Sequence, residues 1–188
     1  MPHKIDRRTI VKGGLGAGLV LSLTPVETVA QDDPAAARPK AGDLLVRSDD
    51  GALTPLRADD LPPGSGLVMA WAMDPVEKVV RRGSRLNRVL LLRLEDSQLT
   101  GDTKTRAAGG VVAYAATCTH TGCDVSDWLP DEKMLSCPCH FSKYDPGNAA
   151  AVTDGPAPRP LPALPLKIAD GQLVVAAPFT ARVYFDPA

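Results

Sequence analysis

The chain has 188 residues, a length that predicts one domain with or without a tail. Hydrophobic residues make up 44% and charged residues 23%, a balance that excludes a largely disordered or membrane-embedded chain. The formal net charge is -1, so the basic footprint of a nucleic-acid-binding protein is missing. The chain has 16 glycines and 18 prolines but only 4% aromatic residues, which favours short strands and long loops over long helices.

Residues 1–30 are expected to be a targeting segment rather than part of the fold. Arg7 and Arg8 precede apolar residues and Lys12, a pattern that resembles the twin-arginine export signal. The apolar run at 13–23 is shorter than the about 20 residues that a membrane span needs. We therefore expect a periplasmic protein whose N-terminal segment is either cleaved or retained as its sole membrane contact.

A linker and a β-rich domain are predicted next. Residues 31–42 are rich in Ala, Pro and charge, a composition typical of a flexible linker, and residues 43–188 should form the folded domain. Short Val, Leu and Ile runs between turn residues predict antiparallel strands at 44–47, 67–72, 88–94, 111–115, 133–136, 164–168, 172–176 and 182–185. Asp170 and Gly171 predict a hairpin turn, and one helix is predicted around 75–83.

Residues 116–162 differ from the rest of the chain. Strand patterning is weak there, and the segment holds all four cysteines and two of the three histidines. Five prolines lie within 156–165. This composition favours a loop-rich insert that is held by covalent or metal bonds rather than by a hydrophobic core.

Two short motifs carry the chemistry of this insert. In outline they read Cys-x-His, sixteen residues, then Cys-x-x-His, with an extra cysteine beside each motif. Two thiolates and two imidazoles suit a tetrahedral zinc site. They also suit a [2Fe–2S] cluster that has cysteine ligands on one iron and histidine ligands on the other. Structural zinc modules seldom carry spare cysteines, but the residues alone leave both metals open.

The motifs resemble those of the Rieske iron–sulfur proteins, specifically the disulfide-containing, high-potential class of cytochrome bc complexes and of the arsenite oxidase small subunit. The resemblance spans roughly Thr54 to Phe185. It implies an all-β protein with a Rieske-type antiparallel β-sandwich or barrel as base domain and an inserted cluster-binding subdomain at about 116–162. It also implies one [2Fe–2S] cluster per chain.

The same resemblance implies a role for each motif residue. Cys118 and Cys137 would bind one iron, and His120 and His140 would bind the other. The two spare cysteines would form a disulfide between the motifs, and these are Cys123 and Cys139.

Residues after the second motif resemble further features of the family. Ser142 and Tyr144 stand where high-potential members have hydroxyls that donate to a cluster sulfide and to a cysteine sulfur, and such bonds raise the reduction potential. Gly155 and Pro156 begin a segment that resembles the proline loop covering the cluster. Phe141 replaces the Gly that is common in cytochrome bc complexes and resembles the arsenite oxidase subunit.

The expected function is one-electron transfer within a larger oxidoreductase. The donor would be a quinol or a molybdenum-enzyme partner, and the acceptor a c-type cytochrome. No nucleophile–base pair stands out, so the chain is expected to have no catalytic site of its own.

Two other functions are compatible with the motifs, namely a Rieske ferredoxin component of an oxygenase system and a zinc-binding interaction module. Such ferredoxins usually lack the spare cysteines. An oxygenase also needs an iron held by two histidines and a carboxylate, and only His3 remains outside the motifs.

Overall fold

The computed structural model describes residues 33–185, so the twin-arginine pattern lies outside the described residues. Ten strands, one short α-helix and three single-turn 3-10 helices are present in this part of the chain. Their bounds are β1 Leu44–Arg47, β2 Val68–Met73, β3 Val89–Arg93, α1 Gly101–Arg106, β4 Val111–Ala115, β5 Asp127–Leu129, β6 Met134–Ser136, β7 Lys143–Asp145, β8 Ala151–Asp154, β9 Leu166–Ala169 and β10 Gln172–Val175.

The larger sheet has six antiparallel strands in the order β4-β3-β2-β1-β10-β9. Its two edges approach each other where the chain runs into β9. The Ala115 amide donates to the Pro162 carbonyl at 2.9 Å, and the Leu164 amide donates to the Ala113 carbonyl at 2.8 Å. These bonds join β4 to the segment before β9, so the sheet curls towards a closed barrel and shields its edge strands.

The smaller sheet has four antiparallel strands in the order β5-β6-β7-β8. Strands β3 and β4 separate two apolar cores, because alternate side chains of a strand point to opposite faces. Leu91 and Ala113 face the core inside the larger sheet, whereas Leu90 and Tyr114 face a second core that also contains Leu135 of β6. Burial on both faces explains why these two strands read as continuous apolar runs.

The fold class predicted from the sequence is confirmed: the described residues form antiparallel sheets with little helix. Within residues 116–162 four short strands form a sheet, of which only β6 was predicted, at 133–136; the sequence indicated loops at the other three. Strands β5, β7 and β8 have only three or four residues each. Their sequences, Asp-Trp-Leu, Lys-Tyr-Asp and Ala-Val-Thr-Asp, contain no run of Val, Leu or Ile that would mark a strand.

Two predicted elements are wrong. Residues 75–83 form no helix, because the Asp74 carboxylate accepts hydrogen bonds from the Val76 and Glu77 amides and closes a turn instead. Residues 182–185 form no strand. The observed helix α1 was not predicted, since its six residues bury only Thr103 and show no apolar periodicity.

The hairpin predicted at Asp170 and Gly171 is present between β9 and β10, where Gln172 pairs with Ala169. Both turn residues have positive φ, 51° and 75°. Such a two-residue turn matches the twist of the strands that it joins, which explains the Asp-Gly signal in the sequence.

The described part of the segment predicted as a linker makes contacts with the domain. Pro39 is buried, and the Arg38 guanidinium donates to the Leu86 carbonyl at 2.9 Å. The Asn87 amide group donates to the Ala37 carbonyl at 2.8 Å. Within residues 33–185, no helix has the length and apolar character required to cross a membrane.

Candidate metal centre

The two motifs form loops of the same design, loop 1 at residues 118–123 and loop 2 at residues 137–142. In loop 1 the Cys118 amide donates to the Cys123 carbonyl at 2.8 Å, and in loop 2 the Cys137 amide donates to the Ser142 carbonyl at 2.9 Å. Each loop also has a bond from its fifth residue back to its first carbonyl, at 3.1 Å in loop 1 and 2.9 Å in loop 2. Each cysteine that begins a loop is therefore held at the loop's base.

The fifth residue of each loop has left-handed backbone geometry. Gly122 has a φ of +82° in loop 1, and Phe141 has a φ of +58° in loop 2. A residue with a Cβ loses about 1 kcal/mol in this conformation relative to glycine. Loop 2 therefore retains a strained Phe, with 70% of its surface exposed, where loop 1 has the unstrained residue.

Two free thiols lie at the bases of the loops, on Cys118 and Cys137, and both are buried. Burial raises the pKa of the Cys137 thiol to about 11, because a buried thiolate is poorly solvated. The Cys118 sulfur lies 3.2 Å from the Tyr144 hydroxyl, which is itself fully buried. Metal binding requires the thiolate form, and the Tyr144 hydroxyl is positioned to stabilise negative charge on Cys118.

The two imidazoles contact each other edge to face. The ring centroids of His120 and His140 are 4.7 Å apart, and the ring planes are inclined by 84°. The His120 Nδ1 atom is buried and has no hydrogen-bond partner, a costly state for a polar atom unless it binds a ligand. His140 is exposed, whereas His120 is half-buried.

A disulfide joins Cys123 of loop 1 to Cys139 of loop 2, with an S–S distance of 2.07 Å, and this confirms the predicted pairing. The sulfurs of Cys123, Cys137 and Cys139 all lie within 4.8 Å of one another. They do not form a three-thiolate metal site, because two of them are bonded together. Among these three, only Cys137 remains able to bind a metal.

A third segment, residues 155–159, packs against both loops. A Cβ on Gly155 would lie 2.5 Å from the Ser142 Cα, so the close approach requires glycine. The Ser142 hydroxyl accepts a hydrogen bond from the Ala157 amide at 3.1 Å, which leaves its own proton free to be donated. Pro156, within this segment, is exposed. The Thr119 hydroxyl donates to the Arg159 carbonyl at 2.7 Å and ties the segment to loop 1.

Sequence reasoning missed three residues that hold loop 1 from outside the motifs, namely Arg85, Arg159 and Phe185. The Arg85 guanidinium donates to the Gly122 carbonyl at 2.5 Å, and the Phe185 ring lies against Gly122. Arg85 and Phe185 lie far from the motifs in the sequence, and Arg159 lies outside the motifs themselves, so no local pattern marks their contacts.

Comparisons with known proteins agree with this geometry. The family model of the Rieske [2Fe-2S] domain matches residues 76–165. The chain is also 30% identical over 131 residues to the cytochrome bc1 complex Rieske iron-sulfur subunit of Streptomyces lividans, covering 69% of this chain and 76% of that protein. The chain belongs to the Rieske family. Membership of this family implies one [2Fe–2S] cluster per chain.

Other relatives are more distant or longer. A protein named as the Rieske subunit of a respiratory nitrate reductase from Haloferax mediterranei is 38% identical over 105 residues. That match covers 55% of this chain, which spans only 47% of the length of the Haloferax protein. Among solved structures, the ferredoxin of carbazole 1,9a-dioxygenase from Nocardioides aromaticivorans is 17% identical with a TM-score of 0.43, covering 75% of this chain and 99% of that chain.

The residues present fit the cluster that the family implies. Two buried thiols and two imidazoles, one with an unpartnered buried nitrogen, are the donor set that a Rieske cluster requires. Cys118, Cys137, His120 and His140 are the residues that would hold it. The disulfide and residues 155–159 keep the two loops together around that donor set.

Removing the disulfide should loosen both loops. The bridge spans 16 residues, and the chain-entropy model predicts a stabilisation of about 3 kcal/mol for a loop of that size. We expect the double variant Cys123→Ser, Cys139→Ser to have a free energy of unfolding lower by about that amount. Denaturant unfolding without reductant, with both proteins prepared free of iron, measures the difference.

The parent protein treated with a thiol reductant is the control, since it should unfold at the same denaturant midpoint as the double variant. A double variant whose midpoint equals that of the untreated parent would show that the bridge contributes nothing to stability.

Proposed function

We propose that the chain is the exported electron-transfer subunit of a larger oxidoreductase. Cys118 and Cys137 bind one iron of its cluster, and His120 and His140 bind the other. The observation that carries the proposal is the placement of two buried free thiols and two contacting imidazoles on loops that a disulfide joins. A bound cluster with two neutral imidazole ligands accepts one electron at a higher potential than a four-cysteine cluster.

The protein stabilises the reduced state through two hydroxyls. The Tyr144 hydroxyl lies 3.2 Å from the Cys118 sulfur, and it would donate to that sulfur once Cys118 is a thiolate. The Ser142 hydroxyl, whose oxygen already accepts from the Ala157 amide, keeps its own proton and would be able to donate it to a bound cluster. Both hydroxyls are buried, so water does not compete for these bonds.

Electrons enter and leave through loop 2. His140 is exposed, and Phe141 beside it exposes 70% of its surface, whereas His120 is half-buried. The partner at this tip is a larger redox subunit or a c-type cytochrome. The relatives named as subunits of a cytochrome bc1 complex and of a respiratory nitrate reductase support a partner of this kind.

Phe141 also sets which donor is used. An aromatic ring next to the exposed imidazole occupies space that a quinol needs in order to reach His140. A protein donor, such as a molybdenum-enzyme subunit, contacts the same ring as part of an apolar surface. The geometry of loop 2 therefore favours a protein donor over a quinol.

Residues 1–30 direct export by the twin-arginine route, and the domain functions in the periplasm. This route carries folded proteins, so the cluster is inserted before export. Retention of the segment would give the domain its membrane contact.

The ligand assignment is tested by metal analysis and electron paramagnetic resonance of the purified chain. We expect two irons and two acid-labile sulfides per chain and a rhombic signal after reduction. His140→Gln should abolish the signal, since it removes an iron ligand. The matched variant His3→Gln, at the only histidine outside the motifs, should leave the signal unchanged.

A colourless protein that contains zinc and no acid-labile sulfide would contradict the proposal. So would a His140→Gln variant that keeps the parental signal.

Removing the Tyr144 hydroxyl should lower the reduction potential, because the bond to the Cys118 sulfur favours the more negative, reduced state. A hydrogen bond contributes about 1 kcal/mol, which corresponds to about 40 mV for a one-electron couple. We expect Tyr144→Phe to lower the potential by about that amount, as measured by a spectroscopic redox titration.

Tyr114→Phe is the matched control. Tyr114 is equally buried, but its hydroxyl donates to the Pro146 carbonyl at 2.7 Å instead of to a cysteine sulfur. If the two variants shift the reduction potential equally, the Tyr144 hydroxyl has no specific role at the cluster.

Replacing Phe141 by glycine should open the tip to quinol. The substitution relieves the left-handed strain at φ +58° and should not destabilise the fold. We expect a soluble quinol to reduce the Phe141→Gly variant several-fold faster than the parent, as measured by stopped-flow absorbance. The control is Val76→Ala, at a residue that is 80% exposed in the turn after β2, and its rate of reduction by quinol should equal that of the parent. An unchanged rate in Phe141→Gly would contradict crowding by Phe141.

A further inference from the structure

Loop 1 contains a residue with wide backbone freedom close to His120. Gly122 follows His120 by two residues and has a φ of +82°. Glycine has the widest backbone freedom of any residue, so a loop that contains it does not by itself hold an imidazole in one orientation. Contacts from outside the loop must restrict it.

The Phe185 ring supplies the first of these contacts. A Cβ on Gly122 would lie 2.6 Å from the Phe185 Cδ1 atom, so the ring lies directly against the glycine. The Arg85 guanidinium lies 5.0 Å from the centre of the same ring and also donates to the Gly122 carbonyl. Gly122 is thus held by an aromatic face and by a charged hydrogen bond, and the two holders attract each other.

Tyr184 supplies a second contact by way of Arg159. The Arg159 guanidinium lies 3.6 Å from the centre of the Tyr184 ring and donates to the Tyr184 carbonyl at 3.1 Å. The Arg159 carbonyl in turn accepts from the Thr119 hydroxyl, which neighbours His120. Residues on both sides of His120 are therefore connected to Tyr184 and Phe185.

The segment that carries these two aromatic residues is itself anchored. Val183 is 4% exposed. Just before it, the Thr180 amide donates to the Ala163 carbonyl at 2.8 Å, and the Thr180 hydroxyl accepts from the Ala163 amide at 3.0 Å. The segment is thereby fixed to the part of the chain that pairs with β4, which lies in the larger sheet.

We propose that residues 182–185 form a strap that fixes loop 1 and positions the His120 imidazole. The inference rests on the proposed function, because it takes His120 as an iron ligand. Tyr184 and Phe185 are positioning residues, which act through Arg159 and Gly122 and not by contact with the cluster. Ligands that are locked by surrounding contacts hold a metal in one geometry, whereas a loosened ligand gives a range of geometries.

The strap is tested with Phe185→Ala and Phe185→Leu. In the full chain, amide hydrogen exchange at residues 119–122 should be several-fold faster in Phe185→Ala, with Phe185→Leu in between. The cluster should be lost several-fold faster on incubation with an iron chelator, and the reduced-state resonance lines should broaden. Tyr184→Ala should act in the same direction.

Phe179→Ala is the matched control, because Phe179 precedes the strap and packs against the core of the larger sheet. It should lower overall stability without changing loop 1 exchange or the resonance line shape. The strap proposal is overturned if Phe185→Ala has the same amide exchange, resonance line shape and rate of cluster loss as the parent. If Phe185→Ala does not fold, Phe185→Leu and Arg85→Lys decide the matter by the same three measurements.

A parent chain without an iron–sulfur signal would overturn the proposed function. In that case the exchange rates at residues 119–122 would still show whether the strap holds loop 1.

Discussion

The site depends on a cross-link between two loops that have little apolar surface of their own. Each loop has only six residues, and two backbone hydrogen bonds close it at its base. Hydrophobic burial alone does not hold such loops face to face, because their tips are short and partly exposed, and the Phe141 ring of loop 2 faces solvent. The Cys123–Cys139 bond supplies this constraint, and the packing of residues 155–159 and the contact between the imidazoles occur on the framework that it creates.

The two loops share a design but differ in their surroundings. Loop 1 is held at Gly122 by Phe185 and Arg85, whereas loop 2 presents Phe141 and His140 to solvent. Loop 1 is fixed by these contacts and loop 2 is exposed. This arrangement suits a carrier that must hold its metal rigidly and also contact a partner. The strained Phe141, with a φ of +58°, lies on the exposed loop.

The donor residues of the site could be predicted from the sequence better than the residues that hold the two loops in place. Cysteine and histidine spacing determines a donor set, and long Val and Leu runs such as β3 predict strands because burial on both faces excludes polar residues. The strands β5, β7 and β8 escaped prediction because their sequences, Asp-Trp-Leu, Lys-Tyr-Asp and Ala-Val-Thr-Asp, contain no run of Val, Leu or Ile. The helix expected at 75–83 failed because a single carboxylate, that of Asp74, closes a turn. The contacts of Phe185 with Gly122 join residues far apart in the chain, which no local pattern records.

Two groups of the site, the Cys137 thiol and the His120 Nδ1 atom, are buried in states that metal binding would relieve. Burial keeps the Cys137 thiol protonated, with its pKa raised to about 11, and the His120 Nδ1 atom is buried without a partner. The Cys137 thiol is enclosed in the second core together with Leu135 and Tyr114. A metal that takes the thiolate and the imidazole nitrogen satisfies both groups at once, so the free energy of binding is also free energy of folding. A bound cluster would therefore stabilise this end of the domain.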